Sequence, residues 1–197
     1  MIDRLPLIAP AGYTTIQSIR DDGSITRSFS GHNEIMNGLI QAAAKLFSGD
    51  TTYKAAALYF EFQNLAAAGD TPNYPTFEAS DGVEYYTGLQ YSLTNDFIRV
   101  PLLSSPSASM IDAATWRLSV HAITPDSTAG FFAKAFSSAA NSVIIGGALV
   151  ATPVPGTQSS DIILCRNYPT GTKVPKTTGE EISMTWNVEF TLPVSSS

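Results

Sequence analysis

The side chains that could do chemistry in this 197-residue chain are few: two histidines, His32 and His121, one cysteine, Cys165, and a handful of neighbouring carboxylates. A serine hydrolase needs a base beside its nucleophile, and no Gly-x-Ser-x-Gly elbow surrounds any serine. His121 falls on the Arg117/Ser119 face of an alternating stretch, which reads as a solvent-facing or interfacial histidine. His32 precedes a helix start and reads as a local hydrogen-bonding residue. Cys165 ends the apolar run Ile162-Ile163-Leu164-Cys165, where a cysteine behaves as a small buried hydrophobe. One cysteine and two histidines give no zinc spacing. Asp21-Asp22-Gly23 opens like a calcium loop but lacks the later ligands, so a hairpin turn is the better reading. Glu180-Glu181, or Asp81 with Glu84, could supply a carboxylate pair of the glycosidase type, although acidic residues at strand starts are common. Gly146-Gly147 lacks the lysine and the strand–helix context of a phosphate-binding loop. The expectation is a non-enzymatic chain with no catalytic residue, no metal and no cofactor.

Composition points the same way. Charged residues make up 14% of the chain, against about 25% in ordinary soluble domains. Serine and threonine take their place. An uncharged polar surface suits contact with neighbouring subunits, because little charge must be desolvated; it also follows simply from strands rich in Thr and turns rich in Ser. The net charge of −6, without any run of Lys or Arg, argues against direct binding of nucleic acid. No apolar stretch reaches the roughly 20 residues of a membrane span. The opening segment, with Pro6 and Pro10, is too short and too broken for a signal-peptide core. A single cysteine excludes an intrachain disulfide, in keeping with synthesis in a reducing cytosol.

The elements that must position these residues are mostly strands. Residues 1–12 read as an extended N-terminal arm, because two prolines exclude a helix or a central strand. Tyr13, Thr15, Gln17 and Ile19 alternate with Thr14, Ile16 and Ser18, and after the Asp21–Ser24 turn residues 25–29 return as a second strand. Asn33 as N-cap, Glu34 in the first turn and Ile35, Met36, Leu39, Ile40, Ala43, Leu46 and Phe47 at helical spacing predict one helix over 33–47, its apolar face packed on a sheet. Gly38 within it implies a close approach to that sheet. Further strands are expected at 56–63, 83–86, 96–102, 114–123, 142–151, 161–165 and, with the cleanest alternation, 181–192. Gly146-Gly147 suggests a bulge or close crossing in its strand. Residues 131–140 fit a helix or a strand equally. Trp116, Leu118 and Val120 share one face, and Trp116 and Trp186 read as core. The expected fold is mainly β, an antiparallel β-sandwich of jelly-roll-like type with one helix. It is a single domain over residues 13–192, followed by a tail at 193–197.

Residues 25–64 carry a resemblance. A hairpin closes on Gly31-His32-Asn33, a helix follows with Gly38-Leu39 and ends in Leu46-Phe47-Ser48-Gly49, and an apolar strand comes next. This order resembles tailed-bacteriophage virion proteins. Many of those continue into a Gly-Thr-Gly turn, where this chain has Tyr59-Phe60-Glu61-Phe62-Gln63-Asn64. The resemblance implies a structural protein of the virion, made in the host cytoplasm: a capsid decoration or cement protein, or a tail-associated adaptor or fibre-base protein. Such a protein would form a symmetric homo-oligomer and contact neighbouring virion proteins. Candidate interface residues are Leu5, Pro6, Leu7 and Ile8 of the arm, with Tyr74, Tyr85, Tyr86, Tyr91 and Phe97; Tyr53 and Tyr59 are further candidate contact aromatics. The alternative is a carbohydrate-binding or adhesion module, which would need an exposed aromatic platform. A third reading, a glycan-cleaving enzyme, would rest on Glu180 or Glu181.

Overall fold

The computed structural model describes residues 10–62, 84–86, 96–123, 142–154, 160–167, 174–176 and 180–191. Twelve strands and one α-helix follow one another in these segments. They are β1 (Ala11–Arg20), β2 (Ile25–His32), β3 (Glu34–Ile35), α1 (Asn37–Phe47), β4 (Ala55–Phe62), β5 (Glu84–Tyr86), β6 (Asp96–Pro101), β7 (Ser107–Met110), β8 (Thr115–Ile123), β9 (Ser142–Ala151), β10 (Ile162–Asn167), β11 (Val174–Lys176) and β12 (Glu180–Thr191). The first sheet has the order β2-β1-β12-β8-β7, and the second runs β3-β10-β9-β4-β6-β5 with β11 also paired to β9. Every pairing is antiparallel.

Side-chain alternation builds the sandwich. Ile16, Val120, Met184, Trp186 and Val188 from the first sheet meet Leu58, Phe60, Val100, Ile144 and Leu149 from the second in one buried core. The Asp22-Gly23 turn is a hairpin, as expected. Gly23 takes a left-handed φ of 79°, its N–H donates to the Arg20 carbonyl, and Ser24 N–H donates to Asp22 Oδ1 at 2.8 Å. The second sheet also buries apolar side chains on its other face. Ala57, Tyr59, Ala148, Val150 and Ile163 form a separate buried cluster with Met36 packed against it. Gly147 sits where a Cβ would meet the Tyr59 carbonyl oxygen at 2.7 Å, and the β4–β9 register shifts between Glu61 and Phe62, so a close crossing and an irregularity both occur there.

The helix begins later than the spacing predicts. Asn33 is not its N-cap: that place belongs to Met36, with no side-chain cap, and no acidic residue lies in the first turn. Glu34 and Ile35 instead pair with Arg166 and Cys165 as β3. The reason lies in the Asn33 side chain, which is drawn between strands. It accepts from Thr14 Oγ1 and from Asn167 Nδ2 and donates to the Asn187 carbonyl, while its backbone N–H donates to Gly12. Gly38 does mark a close approach, to the backbone of Ile163. The expected single packed face needs correction. Leu39 and Ala42 are buried, whereas Ile40, Leu46 and Phe47 are exposed. Of the arm expected over residues 1–12, Ala11 and Gly12 belong to β1 instead; residues 1–9, residues 131–140, Asp81, Tyr74, Tyr91 and the tail lie outside the described residues.

Candidate interaction surface

The chemistry-bearing residues are dispersed by the fold. His121 Nε2 lies 2.8 Å from Ser183 Oγ, a distance a base–nucleophile pair would need. The pair lies on a sheet face with Ser183 buried, and among the described residues no carboxylate is hydrogen-bonded to His121. Burial holds the His121 imidazole below its ordinary value. Glu180 and Glu181 diverge, because successive residues of a strand point to opposite faces. Glu180 is buried, accepts from Thr26 Oγ1 at 2.9 Å and lies 3.9 Å from Arg27. Cys165 is buried, and desolvation pushes its thiol up to about 12. His32 is exposed, and its carbonyl accepts from Asn167 Nδ2 at 2.8 Å. Among the described residues no three His, Cys, Asp or Glu side chains cluster as metal ligands would.

One buried polar group went unnoticed in the sequence. Asp161 accepts from Tyr59 Oη at 2.5 Å, from Arg99 Nε at 2.7 Å and from Thr152 Oγ1 at 2.6 Å. Arg99 Nη2 also donates to Thr152 Oγ1 at 2.8 Å. Two strands, β4 and β6, supply Tyr59 and Arg99, while Thr152 follows β9 and Asp161 precedes β10, on the face of the second sheet turned from the core. The cluster is largely buried and hydrogen-bonded within itself, so it ties these strands in register. Tyr59 is fully buried here, which removes it from the candidate contact aromatics. Tyr53 packs against the core under Lys45, whose Nζ lies 5.6 Å from the ring centre.

The first sheet turns a nearly uncharged face outward. Thr15 and Ser30, Gln17 and Ser28, Ser119 and Asn187, and Thr115 and Thr191 hydrogen-bond across neighbouring strands. Arg117 pairs with Glu189 at 2.7 Å and stacks over Tyr13, so its charge is largely matched. This is the polar, charge-poor surface that the composition suggested.

Among the described residues, large apolar side chains are exposed on regular elements singly at Ile25, which begins β2, and in groups at two places. On α1, Phe47 is 93% and Ile40 63% exposed, two turns apart on one side of the helix, with Leu46 beside them. On the β7–β8 hairpin, Met110 is 62% and Trp116 54% exposed, directly opposite each other, with Ile111 next in the chain. Trp116 was expected in the core. It does share a face with Leu118, which packs on the core, and Val120, which is buried, but it lies at the strand end, where that core is no longer continuous. Trp186 is core, as expected. Of the candidate interface residues, Tyr86 is paired opposite Phe97 and Tyr85 opposite Ile98, placing these three at the β5–β6 edge of the second sheet. Ile40 and Phe47 were readable as apolar, but helical spacing alone cannot tell a second apolar side from the packed one.

No family model matches this chain, and no curated protein or solved structure is significantly similar to it.

Proposed function

We propose that this chain is a non-enzymatic structural component of a tailed-phage particle, assembling with copies of itself and with neighbouring virion proteins as a capsid decoration or cement protein or as a tail component. The observation that carries this reading is the exposure of large apolar side chains on ordered elements, Ile40 and Phe47 on α1 and Met110 and Trp116 on the β7–β8 hairpin. Apolar surface held on rigid elements is what a stable interface buries. The charge-poor outer face of the first sheet supports the same reading, since few ions there, chiefly the paired Arg117 and Glu189, would have to be desolvated on docking. The hairpin, helix and strand behind the resemblance are present as β1–β2, α1 and β4.

Two measurements test it together: the mass of the purified chain at micromolar concentration, and proteomics of purified particles. An oligomer found in particles is expected, with Phe47→Ser weakening assembly while costing less than about 0.5 kcal/mol of stability. A strict monomer that is absent from particles overturns the reading.

The exposure of Trp116 favours one second reading, a carbohydrate-binding or adhesion module with Trp116 as the stacking platform. Glycan-array binding that Trp116→Ala abolishes without unfolding the chain would establish it in place of the first.

A further inference from the structure

We infer that the free edge of β7 is a self-pairing strand, joining two copies of this chain antiparallel about a twofold axis through Ser109. The inference rests on the assembly reading above and names the contact it uses.

Exposed sheet edges are normally guarded by charge, proline, extreme shortness or a covering element. Among the described residues, four of the five edge strands carry such a guard. β2 has Arg27, β3 is two residues long and runs straight into α1, β5 has Glu84 in three residues, and β11 has Pro175 and Lys176. β7 has none: Ser107, Ala108, Ser109 and Met110 are neutral and all exposed. For a chain of net charge −6, an uncharged strand is where two copies can approach without repulsion.

The backbone fixes the register. Ile111 N–H donates to the Thr115 carbonyl at 2.9 Å, so Ile111 faces β8. Hydrogen-bonding direction alternates along an antiparallel strand. Ser109 and Ser107 therefore bond to β8, while the N–H and C=O groups of Ala108 and Met110 point away from it. A twofold at Ser109 sets Ala108 of each copy against Met110 of the other, and these exchange about four hydrogen bonds across the axis. The side chains fit the same register. Met110 and Ala108 lie on one face of the sheet, so each protruding Met110 settles over the small Ala108 of the other copy, beside the exposed Trp116. Ser109 meets its own counterpart on the polar face. A large and a small residue two positions apart are self-complementary about such an axis, and for this reason the occupant is a second copy.

The test uses the full chain. Ala108→Pro removes an outward N–H and leaves the β8 ladder intact; Ser109→Lys sets two ammonium groups across the axis. Each is expected to weaken self-association at least tenfold, an increment of about 1.4 kcal/mol, with an unchanged far-ultraviolet spectrum. Ser109→Cys is expected to form an interchain disulfide on mild oxidation, because facing non-hydrogen-bonded residues have Cα atoms about 4.5 Å apart; Cys165 is buried and does not compete. Ala108→Pro added to Ser109→Cys should abolish that cross-link. An oligomer that persists in both edge variants and never cross-links through Ser109→Cys overturns the edge pairing and leaves the assembly reading standing. A wild-type chain that stays monomeric overturns the edge pairing, and one that is also absent from purified particles overturns both.

Discussion

Gly38 of α1 lies against the backbone of Ile163 in β10 so closely that a Cβ on it would meet the Ile163 carbonyl oxygen at 2.1 Å. The obstacle is main chain, which cannot rotate aside. Alanine would gain about 1 kcal/mol of helix propensity at this position, yet the clash outweighs it. Gly38→Ala is expected to destabilise the fold by about 3 kcal/mol, read from urea unfolding midpoints. An equal or higher midpoint would show that the helix has room to move outward.

The Asp161 cluster yields a rank order. Removing the acceptor of three hydrogen bonds from a buried site is the severe change, and Asp161→Ala should cost about 3–5 kcal/mol. Tyr59→Phe deletes one donor and keeps the ring, so about 1.5 kcal/mol is expected. Thermal unfolding of the two variants side by side checks the order; a milder Asp161→Ala would contradict a register-locking role.

Cys165 should behave as an inert thiol. Its burial, together with a titration pushed up to about 12, leaves almost no thiolate at neutral pH. Labelling by a thiol-specific reagent is expected to be slow in the native chain and to rise only along the denaturant unfolding curve. Rapid labelling of the native chain would mean that β10 opens locally.

His121 makes stability depend on pH in a definite direction. Burial lowers its folded value below 6.5, so the unfolded chain binds the proton more readily. Its cost is absent well above 6.5 and grows as pH falls from there, levelling off once pH passes below the folded value. His121→Gln should therefore lose less stability than the wild type between about pH 7.5 and pH 5. Parallel slopes for the two proteins would show that the ring is freely hydrated.

Local pattern carried much of this fold into the sequence. The alternation along β1 and β12, the Asp22-Gly23 turn and the glycine in α1 each reflect physics that acts within a few residues. What escaped was set by partners distant in the chain. Asn33 has the chemistry of a helix cap, but Thr14, Asn167 and Asn187 claim it first. Trp116 alternates correctly with Leu118 and Val120, yet alternation does not reveal where a core ends. Arg99 and Asp161 lie in separate strand regions, and neither residue alone announces the other. On the interaction surface, the apolar character of Phe47 and Met110 was legible. Their exposure was not, because it depends on which side of each element the rest of the chain covers.

In the first sheet β12 lies between β1 and β8, with Ala11 of β1 opposite Glu189. Strands from the two ends of the described chain are thus hydrogen-bonded neighbours at the sheet's centre. As the polypeptide leaves the ribosome, the β1–β2 hairpin and the β7–β8 hairpin each emerge with a bare inner edge, and nothing can join them until β12 arrives. Cooperative closure of this sheet therefore waits for β12, is dominated by long-range pairing and is correspondingly slow. A nascent chain halted before Glu180 would present two open strands at once, and it is at that stage of biosynthesis that this protein most needs protection from its neighbours on the polysome.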